Sequence, residues 1–446
     1  LSNERGALPS RLTLAVVGLL ASSCVTVAPE AAPVDPAEPP TTTTVAVLEA
    51  PIPAVTVGAE VLADSGFAIL DGSRVGLIVN QTSLVYGEHL IDVIDSAPNV
   101  ELVSVFAPEH GVRGTAGAGA LVDDEIDSVT GVPILSLYGD TRKPTPQMLA
   151  GIDTLVYDLQ DVGGRFYTYI STMGLAMQAA AAAGIRFVVL DRPDPSGGAV
   201  PAGYVLEPAK VSFIGQYPIP SAYAMTAGEL ANAIVGEQWL DGLANLDLSV
   251  VEMRGWLRGM TWEETGLDWI PPSPGLQSSS SALTYLGTVL LEATSISYGG
   301  GMDETFELVG APWADDLTMA ARLNGRGLRG VLFEPVVFTP GPLPGRTNNP
   351  RLSGVELSGV RIHVTEPGPF EPVAVGVHIL HEFMAAAAEL EVQGEFINRP
   401  QTMGLLAGTD ALVDALDAGA GADEIIAGWE DGLRAFNTVR ANYLRY

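Results

Sequence analysis

The chain is poor in cations, nearly devoid of cysteine and free of long apolar runs. Each shortage removes a class of function. Only 22 of its 446 residues are Lys or Arg, against 53 Asp or Glu, which gives a formal net charge of −31 at pH 7. Binding a phosphate backbone needs clustered cations, so nucleic acid is not expected as a partner. The acidity itself reads as solubility or adaptation to an acidic or saline source. The single cysteine, Cys24, excludes a disulfide framework and a thiolate zinc site. There is no GxGxxG after an apolar run, no GxxxxGK[ST], no HExxH and no GxSxG. Dinucleotide, P-loop, zincin and serine-hydrolase readings therefore have no support, and no cofactor or metal is expected. His378 and His381 fall three apart on an apolar helical face, where packing or capping suits them better than ligation.

The N-terminal apolar run, residues 12–21, is too short to cross a membrane comfortably. Arg5 and Arg11 precede it and Ser22-Ser23-Cys24 follows, the order of a secretory signal peptide. Leu20-Ala21-Ser22-Ser23-Cys24 resembles a bacterial lipobox, with its leucine one place early and serine before the cysteine. An ordinary signal peptide with an incidental cysteine is the alternative. The expectation is a signal segment over 1–24 carrying lipid on Cys24. A tether rich in Pro, Thr and Ala would follow over 25–56, unable to bury a core. That arrangement holds a domain outside the cytoplasm, anchored to the bacterial envelope or else secreted.

Beyond the tether, five short Val/Ile/Leu-rich runs recur, at 74–80, 100–107, 154–159, 186–190 and 246–253. They lack strict alternation, as strands covered on both faces do. Helical patterns lie between them at 90–96, at 172–183 before Gly184, and at 226–240, where Thr226 and Glu229 form a capping-box pair. Strand alternating with helix predicts an α/β fold with an open, mostly parallel sheet over 57–285. After about Ser281 the Gly and Pro content rises, with an irregular loop over 340–349, a strand over 355–364, a helix over 373–390 and a final amphipathic helix over 422–446. These predict a smaller second α/β domain over 286–446.

Polar bursts follow the apolar runs. Asn80 ends the first; Glu109, His110 and Arg113 follow the second; Asp158, Asp161, Arg165, Tyr167 and Tyr169 follow the third; Asp191 and Arg192 follow the fourth. In a parallel sheet these ends lie side by side at the carboxyl edge, so acids distant in sequence converge on one crevice. Paired carboxylates with arginines and tyrosines suit glycosidic bond hydrolysis. Plainer roles are open for each: residues 191–198 as a turn, Asp158 and Asp161 as partners of Arg165, and the tyrosines as core.

The same segments resemble the exo-β-N-acetylmuramidase (NamZ-like) family. The matching pieces include Pro108-Glu109-His110-Gly111, Ser136-Leu137-Tyr138-Gly139, Asp158-Leu159-Gln160-Asp161-Val162-Gly163, Asp191-Arg192-Pro193, Pro272-Ser273-Pro274 and Glu292. The resemblance implies a Rossmann-like domain, a smaller C-terminal domain and a cleft between them. It also implies an enzyme that removes terminal N-acetylmuramic acid from the non-reducing end of peptidoglycan fragments. Glu109 maps onto the favoured catalytic glutamate, with Asp161 or Glu292 as second carboxylate, and Arg113, Arg165 or Arg192 as partners of the lactyl carboxylate. The chain departs from the family pattern at Ala222-Tyr223-Ala224, Gly299-Gly300-Gly301-Met302 and Gly275, with Tyr223 able to replace a lost hydrogen bond. Two alternatives follow: a sugar-binding lipoprotein without turnover, and a metal-assisted hydrolase using Asp158, Asp161 and His110.

Overall fold

The computed structural model describes residues 55–112 and 123–446. The signal-like segment, Cys24, most of the expected tether and Arg113 lie outside the described residues. Val55 and Thr56, expected in the tether, belong to the fold. Val55 is buried and its N–H donates to the Thr265 carbonyl, while Thr56 bridges Arg254.

The first five apolar runs form the strands β1 (Arg74–Val79), β4 (Glu101–Ala107), β7 (Thr154–Asp158), β8 (Arg186–Leu190) and β9 (Leu248–Val251). A small hairpin, β2 (Leu84–Val85) and β3 (Glu88–His89), follows β1. Two strands that the sequence pattern missed, β5 (Glu125–Ile126) and β6 (Pro133–Ser136), complete the far edge. The seven-stranded order is β5-β6-β4-β1-β7-β8-β9, parallel except where β5 meets β6.

Both faces of the sheet are covered, which explains the unalternating apolar runs. Val75, Leu77 and Val79 point to the face under α1 (Gly58–Asp64) and α2 (Leu90–Asp95), where Leu62, Leu90 and Ile94 pack. Ile78, Phe106 and Tyr157 point to the other face, against α3 (Tyr169–Ala183) and α4 (Ala227–Gly236) through Met173, Met177, Leu230 and Ile234. The chain runs outward from β1 to β4 and β6, then crosses back to β7, so the topological switch lies between β1 and β7. Ligand crevices form outside the carboxyl ends of strands at such a point.

The C-terminal domain holds an antiparallel sheet of order β10-β12-β11, built from β10 (Leu308–Ala311), β11 (Val331–Phe338) and β12 (Leu357–Val364). Around it lie α5 (Ser279–Thr288), α6 (Asp316–Asn324), α7 (Pro372–Glu389), α8 (Pro400–Ala407) and α9 (Ala411–Asp417). Two helix expectations need correction. The expected helix over 226–240 stops at Gly236, because Gln238 turns left-handed at φ 53°. The expected final helix is two: α10 (Ala422–Ala427) and α11 (Glu430–Arg440). Between them Gly428 passes under the Tyr204 hydroxyl, and Trp429 packs edge-on against the Tyr204 ring at 5.8 Å.

Candidate active site

A cavity of about 1030 Å³ opens where the carboxyl edge of the large sheet meets the C-terminal domain. Glu109 enters from the loop after β4, and its Oε2 accepts a hydrogen bond from Thr168 Oγ1 at 2.8 Å. Beside it, His110 is buried in a left-handed conformation, φ 74°, an unusual backbone for a non-glycine residue and one often kept at functional sites. Glu292 enters from the opposite domain, on a 3-10 turn (Val289–Ala293). Burial raises its carboxyl to about 7, and the Glu109 charge adds to the rise, while Arg351 and Arg399 oppose it. Tyr285 lies close to both acids: burial raises its hydroxyl well above the usual value, with the charges of Glu292 and Glu109 next.

Tyr167 and Tyr169 form a wall, their rings edge to face at 4.8 Å. Tyr169 is fixed by its hydroxyl, which accepts from Asn80 Nδ2 at 2.8 Å and donates to the Pro272 carbonyl at 2.7 Å. Asn80 therefore orients a wall residue and is itself fully buried, away from the cavity.

Several residues expected to touch substrate are instead behind the wall. Asp161 is buried off the cavity: Tyr223 donates its hydroxyl to Oδ2, and the Gly163 N–H donates there at 2.7 Å. Burial pushes its carboxyl up to about 7, against the two hydrogen bonds. Asp158 is paired with Arg192 at 2.5 and 2.9 Å, both side chains buried. Arg192 borders a separate cavity of about 380 Å³ beside Trp262. Asp191 holds the start of α4, accepting from Thr226 Oγ1, the Gly228 N–H and the Tyr446 hydroxyl at 2.7 to 2.8 Å. Arg165 is fully buried and donates to three backbone carbonyls: Tyr204 at 2.8 Å, Ile219 at 3.0 Å and Leu406 at 2.7 Å. Asp191, Arg192 and Arg165 are thus corrected from substrate contacts to struts, because each guanidinium or carboxylate is spent on protein partners. The proposed metal set is corrected for the same reason. Asp158 belongs to Arg192 and Asp161 to Tyr223, and among the described residues no three His, Cys, Asp or Glu are placed to hold a metal ion.

Sequence reasoning missed Tyr138, Thr168, Tyr285, Tyr298, Arg351 and Arg399, which also line the cavity. Most come from irregular segments or helix ends with no motif of their own. The departures at Gly275 and Gly300 both fall on the cavity wall, where they leave room rather than a polar group.

One carboxyl group that keeps its proton near neutrality can protonate a leaving oxygen while a second acts on the sugar from elsewhere in the cavity. That division of labour places the molecule among the glycoside hydrolases. The comparisons with known proteins agree. The family model described as "Exo-beta-N-acetylmuramidase NamZ, N-terminal" matches residues 75–280, and its C-terminal counterpart matches residues 283–446. The peptidoglycan beta-N-acetylmuramidase NamZ of Bacillus subtilis (strain 168) is 40% identical over 401 residues, which cover 88% of this chain and 92% of that protein. Two solved structures of DUF1343 family proteins from Bacteroides fragilis NCTC 9343 superpose with TM-scores of 0.81 and 0.71, at 37% and 32% identity, over 88% of this chain and 99% of each. The chain belongs to the NamZ exo-β-N-acetylmuramidase family.

Proposed function

We propose that this protein removes terminal N-acetylmuramic acid from the non-reducing end of peptidoglycan fragments. The observation that carries the reading is the pairing of Glu109 and Glu292 on one tyrosine-lined cavity, one acid from each domain. Glu292 is the general acid, because burial keeps it protonated to about pH 7. Glu109, oriented by Thr168, is the second carboxylate, as nucleophile or as base toward water. This gives Glu109, the favoured catalytic glutamate of the sequence motif, the place of second carboxylate. It also prefers Glu292 to Asp161, which is shut behind the wall with Tyr223.

The test is hydrolysis of a chromogenic N-acetylmuramide by the purified chain, with Glu109→Gln and Glu292→Gln alongside. Loss of acid–base catalysis is expected to cost roughly 10²- to 10⁴-fold in kcat for each. Retention of wild-type turnover by either variant would remove that residue from the mechanism. Binding of the sugar by the wild type without turnover would establish the non-catalytic alternative.

The cellular placement is a further part of the proposal: an extracytoplasmic enzyme held by lipid on Cys24, supported by the charged, apolar and small-residue order of residues 1–24. Labelling the expressed chain with an alkynyl fatty acid should mark it and spare Cys24→Ala.

A further inference from the structure

We infer that Arg399 recognises the lactyl carboxylate that distinguishes a muramyl sugar from a glucosaminyl one; the inference rests on the muramidase reading and names the group that reads its substrate. Among the described residues three arginines line the cavity, in a protein that has only 22 Lys or Arg against 53 acids. Two of them are already engaged. Arg351 donates Nη1 to the carbonyls of Leu291 and Ile296, at 3.0 Å each, and of Thr294, and Nη2 to the Glu292 carbonyl at 2.7 Å. It thereby holds the turn that carries the acid. Arg346 donates to Asp303 at 2.8 Å and to Gln277 at 3.0 Å.

Arg399 differs from both. Among the described residues its guanidinium has no hydrogen bond and no ion pair, yet it borders the cavity and its charge acts on Glu292. Its root is fixed: the Arg399 N–H donates to the Ala293 carbonyl at 3.1 Å, next to Glu292 in the chain, and Pro400 starts α8. An open guanidinium anchored beside the acid has all its donors available. Such a fork donates two parallel N–H···O bonds to a carboxylate, which accepts them. N-acetylmuramic acid differs from N-acetylglucosamine by its 3-O-lactyl group, which supplies that carboxylate. Of the other arginines expected for this role, Arg113 lies outside the described residues, and Arg165 and Arg192 are spent on carbonyls and on Asp158.

A rival role for Arg399 is electrostatic tuning of Glu292. The two are separated by comparing free N-acetylmuramic acid with its lactyl methyl ester as competitive inhibitors of chromogenic muramide hydrolysis, or as calorimetric ligands. The wild type should bind the acid about 10- to 100-fold more tightly than the ester, the range for a hydrogen bond to a charged group. Arg399→Gln should bring the ratio close to one, Arg399→Lys should keep part of it, and Arg346→Gln should leave it in place. A wild type indifferent to the ester, or an Arg399→Gln chain with the wild-type preference, overturns the inference. So does an Arg399→Gln chain whose only change is an upward shift of the alkaline limb of its pH–rate profile. A wild type that prefers the acid but does not cleave the muramide would instead sink the muramidase reading and leave this one standing.

Discussion

At the scale of single residues, the acid role proposed for Glu292 comes at the expense of the fold. Its carboxyl is raised from an ordinary 4.5 to about 7, first by burial. Between those values the folded protein holds a proton there that the unfolded chain has released. The contribution to stability therefore falls as pH rises through that window and stays low above it. Two outcomes follow. With Glu292 as the proposed general acid, kcat/KM should decline as pH rises through about 7, which a pH–rate profile will read. Glu292→Gln should lower kcat by roughly 10²- to 10⁴-fold yet raise the melting temperature at pH 8, and much less at pH 4. A variant that melts lower at pH 8 would mean that the carboxylate is stabilised in the cavity. Glu109 was legible because it ends an apolar run in a fold whose strand ends gather. Glu292 was not readable from local pattern. It sits on a 3-10 turn among aliphatic residues, and only the family resemblance drew attention to it.

At the scale of elements, the misread residues are those that connect them. Arg165 looked like a ligand for an anion because it follows a strand end. In the fold it ties the loop before α3, which carries Thr168, to the end of α8, whose Thr402 and Leu406 line the same cavity. Among the described residues it has no counter-ion, and burial lowers its guanidinium to about 9. A Cβ on Gly408 would lie 2.6 Å from Nη2, so only glycine fits where the chain turns over it at φ 81°. Arg165→Met takes the guanidinium donor from the Tyr204 and Leu406 carbonyls, while Ile219 keeps the Leu206 N–H, and should cost about 2–3 kcal/mol in urea unfolding, with KM rising more than kcat falls as the wall loosens. A variant of wild-type stability would show that the carbonyls find other donors. Ala224 supplies the converse case. It is buried at φ 55°, a backbone that favours glycine, and its carbonyl receives Arg258 and Arg440. Ala224→Gly should therefore stabilise the protein by about 0.5–1 kcal/mol, the left-handed penalty less the added entropy of the unfolded chain. No periodicity reveals such links, because they join residues through backbone carbonyls whose place is fixed only by the fold.

At the scale of the whole molecule, four buried acids share one sign of shift. Burial raises Asp161 and Glu292 to about 7, and Asp191 and Asp194 to about 6. The α/β order was legible because each strand is apolar along its length, and so were Asp161 and Asp191, which follow strand ends; Glu292 was not, since it comes from a 3-10 turn in the other domain. Across roughly pH 4 to 7 the folded state binds more protons than the unfolded one, so stability falls as pH rises. The net charge of −31 acts in the same direction, since self-repulsion grows as the remaining acids ionise. On the acid side the trend reverses. Asp64, Asp315, Glu334 and Glu389 are lowered by hydrogen bonds first, so their stabilising contribution disappears as pH falls through the carboxylate range. These four are exposed and weakly held, whereas the raised group is buried, so the raised group dominates. Melting temperature should therefore peak near pH 5 and decline toward pH 8. Salt should recover the part due to surface repulsion, which is screened beyond a Debye length of about 10 Å at 0.1 M, and leave the buried part untouched. Melts at pH 5, 6.5 and 8, each at low and high salt, read both parts. A melting temperature that climbs from pH 5 to pH 8 at high salt would contradict the burial penalty, because screening would already have removed the repulsion that could mask it.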